Sequence, residues 1–473
     1  MQVPESPPPI PTPAIQVTEG NTGIVRRLIR LAAPVTVGQL AIVGMSVTDI
    51  IIAGRYGTND LAGISLGSSI FNLAIMLTIG IVLGNGPIVG QLYGAGNYSL
   101  LRRQFQSCLW LCLPLGLMCA SFVGLGILIL PWLDATDAVA GIAHHYLLPM
   151  IGSAALLPFI MAYRTTFESM GYAKPAMIFN LLGFLINIPL DYALVTGKAG
   201  LPALGGAGCG WATLIVSASI VLSESLYTQY ARPLLSYQLF AGFGWPSLAR
   251  IRETLHVGLP IGGAILAEGG FFLIIPLFIA HLGAVVVSGH SIAISFDWVM
   301  FMVPMGISQA IAVLTAHELG QNNPTLARRI CFAGLCLTAA IALVQASLVV
   351  LFRHPLAGLF SPDVAVQELA SLLLVYAAAF RVFDAINVGG NGALRGYKDT
   401  RITMVLAASG YWLIGFPLSY SLALTHWWGP PMGVEGFWVG MVIALILTST
   451  ATTLRVRKTT RLELSKPVKP DTI

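Results

Sequence analysis

The chain has 473 residues, of which 56% are hydrophobic and only 10% are charged, and its mean hydropathy is +0.80. Soluble globular proteins carry about 25% charged residues, so this composition excludes that class. The net charge of +5 is explained by the loop topology described below, and we expect no nucleic-acid partner.

Residues 1–22 (MQVPESPPPIPTPAIQVTEGNT) are rich in proline and lack both a basic start and an apolar core. They therefore do not fit a signal peptide, and we interpret them as a disordered leader. The six cysteines of the chain lie in or beside apolar runs and form no CxxC pair. We interpret them as buried small hydrophobic residues, with neither disulfides nor a metal site.

Apolar runs of membrane length follow the leader and continue to the end of the chain. About 20 apolar residues span the hydrocarbon core as a helix, and these runs are too long for the strands of a barrel. The sequence therefore predicts an all-α polytopic membrane protein embedded in a lipid bilayer. The twelve predicted transmembrane helices lie near residues 26–53, 60–84, 104–131, 139–162, 173–196, 207–230, 252–281, 287–316, 327–352, 365–389, 401–424 and 433–454.

Basic residues are concentrated at the chain ends, in the central connection and in alternate loops, whereas the opposite loops hold only Arg55, Lys198 and Arg353. Such a bias places both termini and the central connection in the cytoplasm. The predicted organisation consists of a leader (1–22), an N-lobe with six helices (23–230), a cytoplasmic linker (231–250), a C-lobe with six helices (251–456) and a cytoplasmic tail (457–473).

The two halves of the chain resemble each other. An offset of 226 residues pairs Pro34 with Pro260, Gly80 with Gly306, and Asn97 with Asn323. Each half has an even number of helices, so both halves enter the membrane in the same direction and form a parallel repeat. Two like-oriented bundles are typical of transporters, whose binding sites lie near the membrane midplane.

Ionisable residues inside a membrane are functional candidates by default. In the N-lobe these are Asp49 and Asp191, and Asn187 lies one helical turn before Asp191 on the same face. If Asp49 faces the same cavity, the group offers oxygen ligands for Na⁺, or a pair of carboxylates that carries a proton. The alternative is an Asn/Asp pair that only joins helices. Pro34, in the same predicted helix as Asp49, predicts a bend that would serve as a hinge.

In the C-lobe the candidate acids are Glu268, Asp297 and Asp384. Arg381 lies one turn before Asp384, so a structural ion pair between them is an alternative to an ion site. Aromatic faces beside acids suit lipophilic cations through cation–π contacts, although each ring alone fits core packing as well. The substrate-contact candidates of this half are Phe271, Phe296, Asp297 and Phe380.

Four stretches resemble the multidrug and toxic compound extrusion (MATE) family, in particular its NorM-like bacterial branch. They are LAAPVTVGQLAIVGMSVTDIIIAG, NIPLDYALVTGKAGLPALGGAGCG, GLPIGGAILAE and FRVFDAINVGGNGALRGYKDT. The resemblance implies two six-helix lobes around a central cavity, and export of organic cations such as dyes and fluoroquinolones by antiport with Na⁺ or H⁺. It also implies a multi-pass protein of the bacterial inner membrane, no bound cofactor and a role in antibiotic resistance. We expect a monomer.

The resemblance assigns roles to individual positions. Asp49 and Asn187 match the cation site of the N-lobe, whereas Asp191 occupies a position where NorM-type members often have Asn. Glu268 and Asp384 match the C-lobe acids implicated in Na⁺ binding, which favours Na⁺, and H⁺ remains open because of Asp191. Asp363 matches a position implicated in drug contact.

Other function classes fit the sequence less well. A flippase of a lipid-linked precursor would have a strongly basic cavity, whereas the membrane-embedded charges here are mainly acidic. An intramembrane enzyme is not expected, because the sequence has no HExxH motif. A channel would not need the two-lobed repeat.

Overall fold

The fold is taken from a computed structural model. It describes residues 20–132, 136–198, 200, 202–360, 363–427 and 429–465. Most of the predicted leader, and the last eight residues of the predicted tail, lie outside the described residues.

The described part of the chain contains twelve helices long and apolar enough to cross a membrane and no strand, which confirms the predicted fold class. In chain order they are α1 Asn21–Tyr56, α2 Thr58–Gly94, α3 Tyr98–Trp132, α4 Asp137–Ser169, α5 Ala173–Thr196, α6 Ala207–Tyr230, α7 Leu248–Leu282, α8 Ala284–Gly320, α9 Pro324–Gly358, α10 Val364–Gly396, α11 Thr400–Leu424 and α12 Val434–Leu464. Most are longer than predicted, because the helices continue past the apolar run.

Two of these helices are irregular. Helix α2 consists of Thr58–Leu83 and Asn85–Gly94, which join through Gly84. Helix α11 contains a π-helical stretch, Ser409–Gly415, between two α-helical parts. π-helical turns are rare in proteins, and those that occur are often found at functional sites. The π-helical stretch therefore makes α11 a candidate for a functional role.

The described residues divide into two compact units. The N-terminal unit comprises residues 37–262, and the C-terminal unit comprises residues 20–36 and 263–465. The first part of α1 therefore packs with the C-terminal half of the chain, and the first part of α7 packs with the N-terminal half. The chain crosses between units at residues 36/37 and 262/263, two places separated by the 226-residue repeat.

Glycines permit both of these exchanged packings. In the N-terminal unit the α-carbon of Gly262 lies so close to Gly80 that a Cβ on Gly80 would approach it to 2.1 Å. In the C-terminal unit a Cβ on Gly306 would meet the hydroxyl of Thr36 at 2.0 Å. Small residues let membrane helices approach closely. Gly80 and Gly306 are equivalent in the repeat, so each unit repeats the same helix crossing.

Helix capping repeats as well. The side chain of Asn97 accepts a hydrogen bond of 3.2 Å from the N–H of Leu100, and that of Asn323 accepts one of 3.1 Å from Leu326. Asparagine is a strong N-cap because its oxygen satisfies an amide that the helix leaves free. The predicted repeat is therefore present in local structure and in packing.

The connection between the two halves packs on α3 within the N-terminal unit. Gln106 donates hydrogen bonds to the carbonyls of Leu239 and Ala241, at 3.0 and 3.1 Å, and the indole of Trp110 donates to Gly244 at 3.0 Å. A one-turn helix, Arg232–Leu235, begins this segment. The linker is therefore anchored to the first bundle.

Candidate functional site

Two helices of the N-terminal unit bring the predicted polar residues together, and a third adds Cys209. Asp49 lies on α1, Asn187 and Asp191 lie one turn apart on α5, and all three side chains are buried. A carboxylate oxygen of Asp49, one of Asp191 and the thiol of Cys209 all lie within 4.8 Å of one another. We call these four residues the N-site.

The polar atoms of the N-site have few partners. Asp49 Oδ1, both carboxylate oxygens of Asp191 and both polar side-chain atoms of Asn187 are buried without a hydrogen-bond partner among the described residues. A buried polar group costs about 1–3 kcal/mol when it is left unsatisfied, and a charged group costs more. A proton or a cation bound between these groups would satisfy them.

The residues of the N-site fit both ligands. Carboxylate and amide oxygens are suitable ligands for hard cations, whereas a thiol is not. Two carboxylates this close also favour sharing a proton, because both cannot easily be ionised side by side. The amide of Asn187 lies beside both carboxylates, which a structural Asn/Asp pair, the alternative left open by the sequence, would also require.

Two members of this neighbourhood were not predicted. Cys209 places its thiol 3.9 Å from the carbonyl of Asp49, and the side chain of Thr213, one turn later on α6, faces the Asp49 carboxylate. The sequence interpretation treated Cys209 only as a small buried residue. Nothing in the spacing of α6 relative to α1 could have indicated this contact.

In the C-terminal unit the acids surround one arginine. Arg381 on α10 donates to Asp297 Oδ1 at 2.9 Å and to the Asp297 carbonyl at 3.2 Å, and it forms a further ion pair with Asp297 Oδ2. It also donates to Asp384 Oδ2 at 2.6 Å. The guanidinium is only 1% exposed and packs over the rings of Phe301 and Phe380. Its fork bridges α10 and α8, as the planar geometry of arginine allows.

This pairing leaves part of the acid set without a partner. Asp384 Oδ1 is buried and accepts no hydrogen bond from the described residues. Glu268 on α7 is partly buried and is approached by the phenol of Tyr411, which lies in the π-helical stretch of α11. We call Glu268, Asp297, Arg381, Asp384 and Tyr411 the C-site. Neither Tyr411 nor the bridge from Arg381 to Asp297 was predicted.

The remaining predicted positions are more dispersed. Phe271 and Phe380 are fully buried in the apolar core of the C-terminal unit, and the ring of Phe296 packs on Phe360 at a centroid distance of 5.0 Å. Asp363 is exposed and caps α10 by accepting a hydrogen bond of 2.9 Å from Ala365. The C-site therefore includes Asp297, whereas Asp363 lies at a helix end.

Pro34, the predicted hinge, lies inside α1 two residues before the chain crosses between units. Its repeat partner Pro260 lies two residues before the second crossing, in α7. A proline inside a helix removes one backbone hydrogen bond, so both crossings follow a locally weakened turn.

A family model described as MatE matches residues 34–193 and 260–421. The two matches begin 226 residues apart, as the repeat requires. The chain belongs to the MATE family. Its relatives include the multidrug resistance protein PmpM of Pseudomonas aeruginosa, which is 36% identical over 95% of both chains. They also include the multidrug resistance protein MdtK of Yersinia pseudotuberculosis, 34% identical over 91% of this chain and 95% of that protein.

A probable multidrug resistance protein NorM of Pasteurella multocida is 32% identical over 92% of this chain and 94% of that protein. Solved structures agree on the fold. A MATE in complex with MaL6 has a TM-score of 0.85 at 18% identity, covering 95% of this chain and all of that one. The eukaryotic MATE transporter AtDTX14 has a TM-score of 0.80 at 20% identity, covering 94% of this chain and 99% of that one. This MATE chain is therefore a multi-pass membrane transporter and not an enzyme.

Proposed function

We propose that this MATE protein is a cation-coupled antiporter that exports amphiphilic, mostly cationic drugs and toxins from the cytoplasm by alternating access. The observation that carries the proposal is the N-site, where two buried carboxylates and an amide converge and five of their polar atoms have no hydrogen-bond partner among the described residues. The names of the relatives supply the substrate class, because each is called a multidrug resistance protein. A flippase is not favoured, since both sites contain more acids than bases.

Coupling follows from electrostatics. Moving one positive charge out against an inside-negative potential costs about 2.3 kcal/mol per 100 mV. A cation that enters as the drug leaves offsets this cost. When the cation occupies the N-site, the carboxylates no longer attract a cationic drug, so each ligand weakens the binding of the other. The coupling free energy then equals the differential affinity of the two ligands for the two states.

We infer that the coupling ion is a proton bound at the N-site. The sequence favoured Na⁺ because Glu268 and Asp384 are both present in the C-lobe. In the structure, the guanidinium of Arg381 already pairs with Asp384 and Asp297, so these two acids have a positive partner without Na⁺. The paired carboxylates of Asp49 and Asp191 suit a shared proton, as described above.

Ethidium efflux from proteoliposomes tests this proposal, with the proton gradient and the Na⁺ gradient imposed separately. We expect the proton gradient to drive efflux and the Asp49→Asn and Asp191→Asn variants to lose it. Half-exposed Glu253, which lies 4.0 Å from Arg250 and outside both sites, offers a matched control, Glu253→Gln, which should transport normally. Efflux driven only by Na⁺ would refute the proton assignment, and efflux independent of both gradients would refute cation coupling itself.

The proposed placement is the bacterial inner membrane, with both termini and the linker in the cytoplasm and the protein acting as a monomer. Cysteine accessibility at the two ends of the chain tests the orientation. Alternating access would involve movement of the units about the crossings at 36/37 and 262/263.

A further inference from the structure

A second acid in the N-terminal unit has no role in the N-site. Glu224 on α6 is completely buried, and neither of its carboxylate oxygens has a hydrogen-bond partner among the described residues. An isolated ionised carboxylate away from water is too costly to persist, so the group is either neutral or held by a cation. Intramembrane acids of this kind are functional candidates.

The charged groups that face Glu224 come from α4. Arg164 and Glu168 are both buried and lie close enough to act on its charge. Arg164 Nε donates to Glu168 Oε1 at 2.8 Å, and its Nη1 donates to Gln39 Oε1 on α1 at 3.4 Å. Tyr163, the residue before Arg164 on α4, also lies close enough to Glu224 to be affected by its charge. The carboxylates of Glu224 and Glu168 thus lie near one arginine, Arg164, and the hydrogen bond from Arg164 goes to Glu168.

Glu224 is separated from the N-site. Cys209 and Glu224 are fifteen residues apart on α6, which places them about 22 Å apart along the helix axis. Apolar contacts of Val216 and Ile220 with Gly183 on α5 lie between the two positions. The N-site therefore lies beside one end of α6, and Glu224 lies near the other end, which leads into the linker.

We propose that Glu224 is a second exchangeable proton site of this transporter. It is buried in the state described here and reaches the aqueous phase on the linker side in another state of the transport cycle. In the state described here the carboxylic acid carries an O–H bond, which removes the excess negative charge beside the Arg164–Glu168 pair. On exposure to water the O–H bond breaks, the proton passes to water, and the carboxylate is left beside Arg164. Linking this proton to drug export rests on the proposed function, whereas the exchange itself does not.

The first test uses Glu224→Gln, which keeps the shape of the neutral acid, with Glu253→Gln as the matched control. Infrared difference spectra of the drug-free protein, recorded while the bulk pH is raised, should show two carboxylic-acid C=O components that disappear, one from the N-site and one from Glu224. The Glu224→Gln variant should lack only the second component and keep the melting temperature of the wild type, whereas Asp191→Asn should retain that component. The inference is overturned if the spectra of Glu224→Gln and the wild type are the same, or if the component that the variant lacks persists at all pH values in the wild type. A clear loss of melting temperature also overturns it, because the carboxylate would then be ionised and needed by Arg164.

The second test links the site to transport. Ethidium is added to purified protein in weak buffer, and the released protons are counted with a pH dye. We expect Glu224→Gln to release one proton fewer per chain than the wild type, and Glu253→Gln to match it. Unchanged release in Glu224→Gln overturns the link to drug export while leaving the N-site proposal intact. If the wild type itself releases no proton, proton coupling fails, and the infrared test still decides the exchange at Glu224.

Discussion

Replacing Arg381 by Met should destabilise the C-terminal unit strongly. The guanidinium is 1% exposed and is the cation that pairs with both Asp297 and Asp384, whose side chains are 9% and 2% exposed. Removing it leaves two buried carboxylates without their counter-ion and forfeits the contacts with the rings of Phe301 and Phe380. Breaking a buried ion pair by deleting one partner costs about 3–5 kcal/mol. We expect at least that loss of unfolding free energy.

A double-mutant cycle separates the ion pair from packing. Asp297→Asn keeps the pair between Arg381 and Asp384 and should cost about 1.5–3 kcal/mol, the range for hydrogen bonds to charged groups. The double variant Asp297→Asn/Arg381→Met should lose clearly less than the sum of the two, because it contains one unpaired carboxylate fewer. The four proteins are compared by thermal and denaturant unfolding in one detergent, with intrinsic tryptophan fluorescence as the signal.

Arg328→Met, at an exposed arginine of α9, serves as the matched control and should unfold like the wild type. If Arg381→Met lay within about 1 kcal/mol of the wild type, well below the cost of breaking a buried pair, the structural role assigned to Arg381 would be refuted. Additive effects of Asp297→Asn and Arg381→Met would show that the two side chains are not coupled. Efflux assays on the same proteins then show whether the pair also matters for transport.

Three further outcomes are expected. Asp49→Asn should abolish proton-driven ethidium efflux without lowering the melting temperature, because it removes the charge of a carboxylate whose buried Oδ1 has no hydrogen-bond partner among the described residues; a clear loss of stability would mean that Asp49 is structural. Gly262→Val should lower the free energy of unfolding by roughly 1–3 kcal/mol or more, because a Cβ at this position would lie 2.7 Å from the Leu77 carbonyl oxygen. Normal expression and an unchanged melting temperature would contradict the close packing. Gln106→Ala should release the linker, which limited proteolysis would detect as faster cleavage, because it removes two hydrogen bonds; unchanged cleavage would contradict this anchoring.

The fold followed from patterns that the sequence displays directly. Apolar length determined the number of helices, and the repeat of Pro34 and Pro260 marked two equivalent turns. The exchange of helix segments between the units was not predicted. It depends on which helix faces Gly80 and Gly306, and glycine spacing shows that a close approach is possible without showing its partner.

The candidate sites were predictable only in part. Asp191 and Asn187 could be placed together because they share one helix face, and Arg381 could be placed near Asp384 for the same reason. The contact of Arg381 with Asp297 joins positions 84 residues apart, and the position of Cys209 beside Asp49 joins helices α6 and α1. Such contacts depend on how helices rotate in the bundle, which a single sequence does not specify. Glu224 was missed because it follows the apolar run of α6, among the polar residues at the end of that helix.

Helix α1 connects these observations physically. It contributes Asp49 to the N-site and Gln39 to the Arg164 cluster, both within the N-terminal unit, while its residues up to Thr36 belong to the C-terminal unit. A cation or proton that draws the Asp49 and Asp191 carboxylates together acts on α1, and any resulting shift of α1 reaches the C-terminal unit through the turn after Pro34. Helix α6 meanwhile carries Glu224 at one end and part of the N-site at the other. Protonation of the N-site and of Glu224, as proposed above, would therefore both act on α6. The two proposed events would share this helix without a continuous path of polar groups between them.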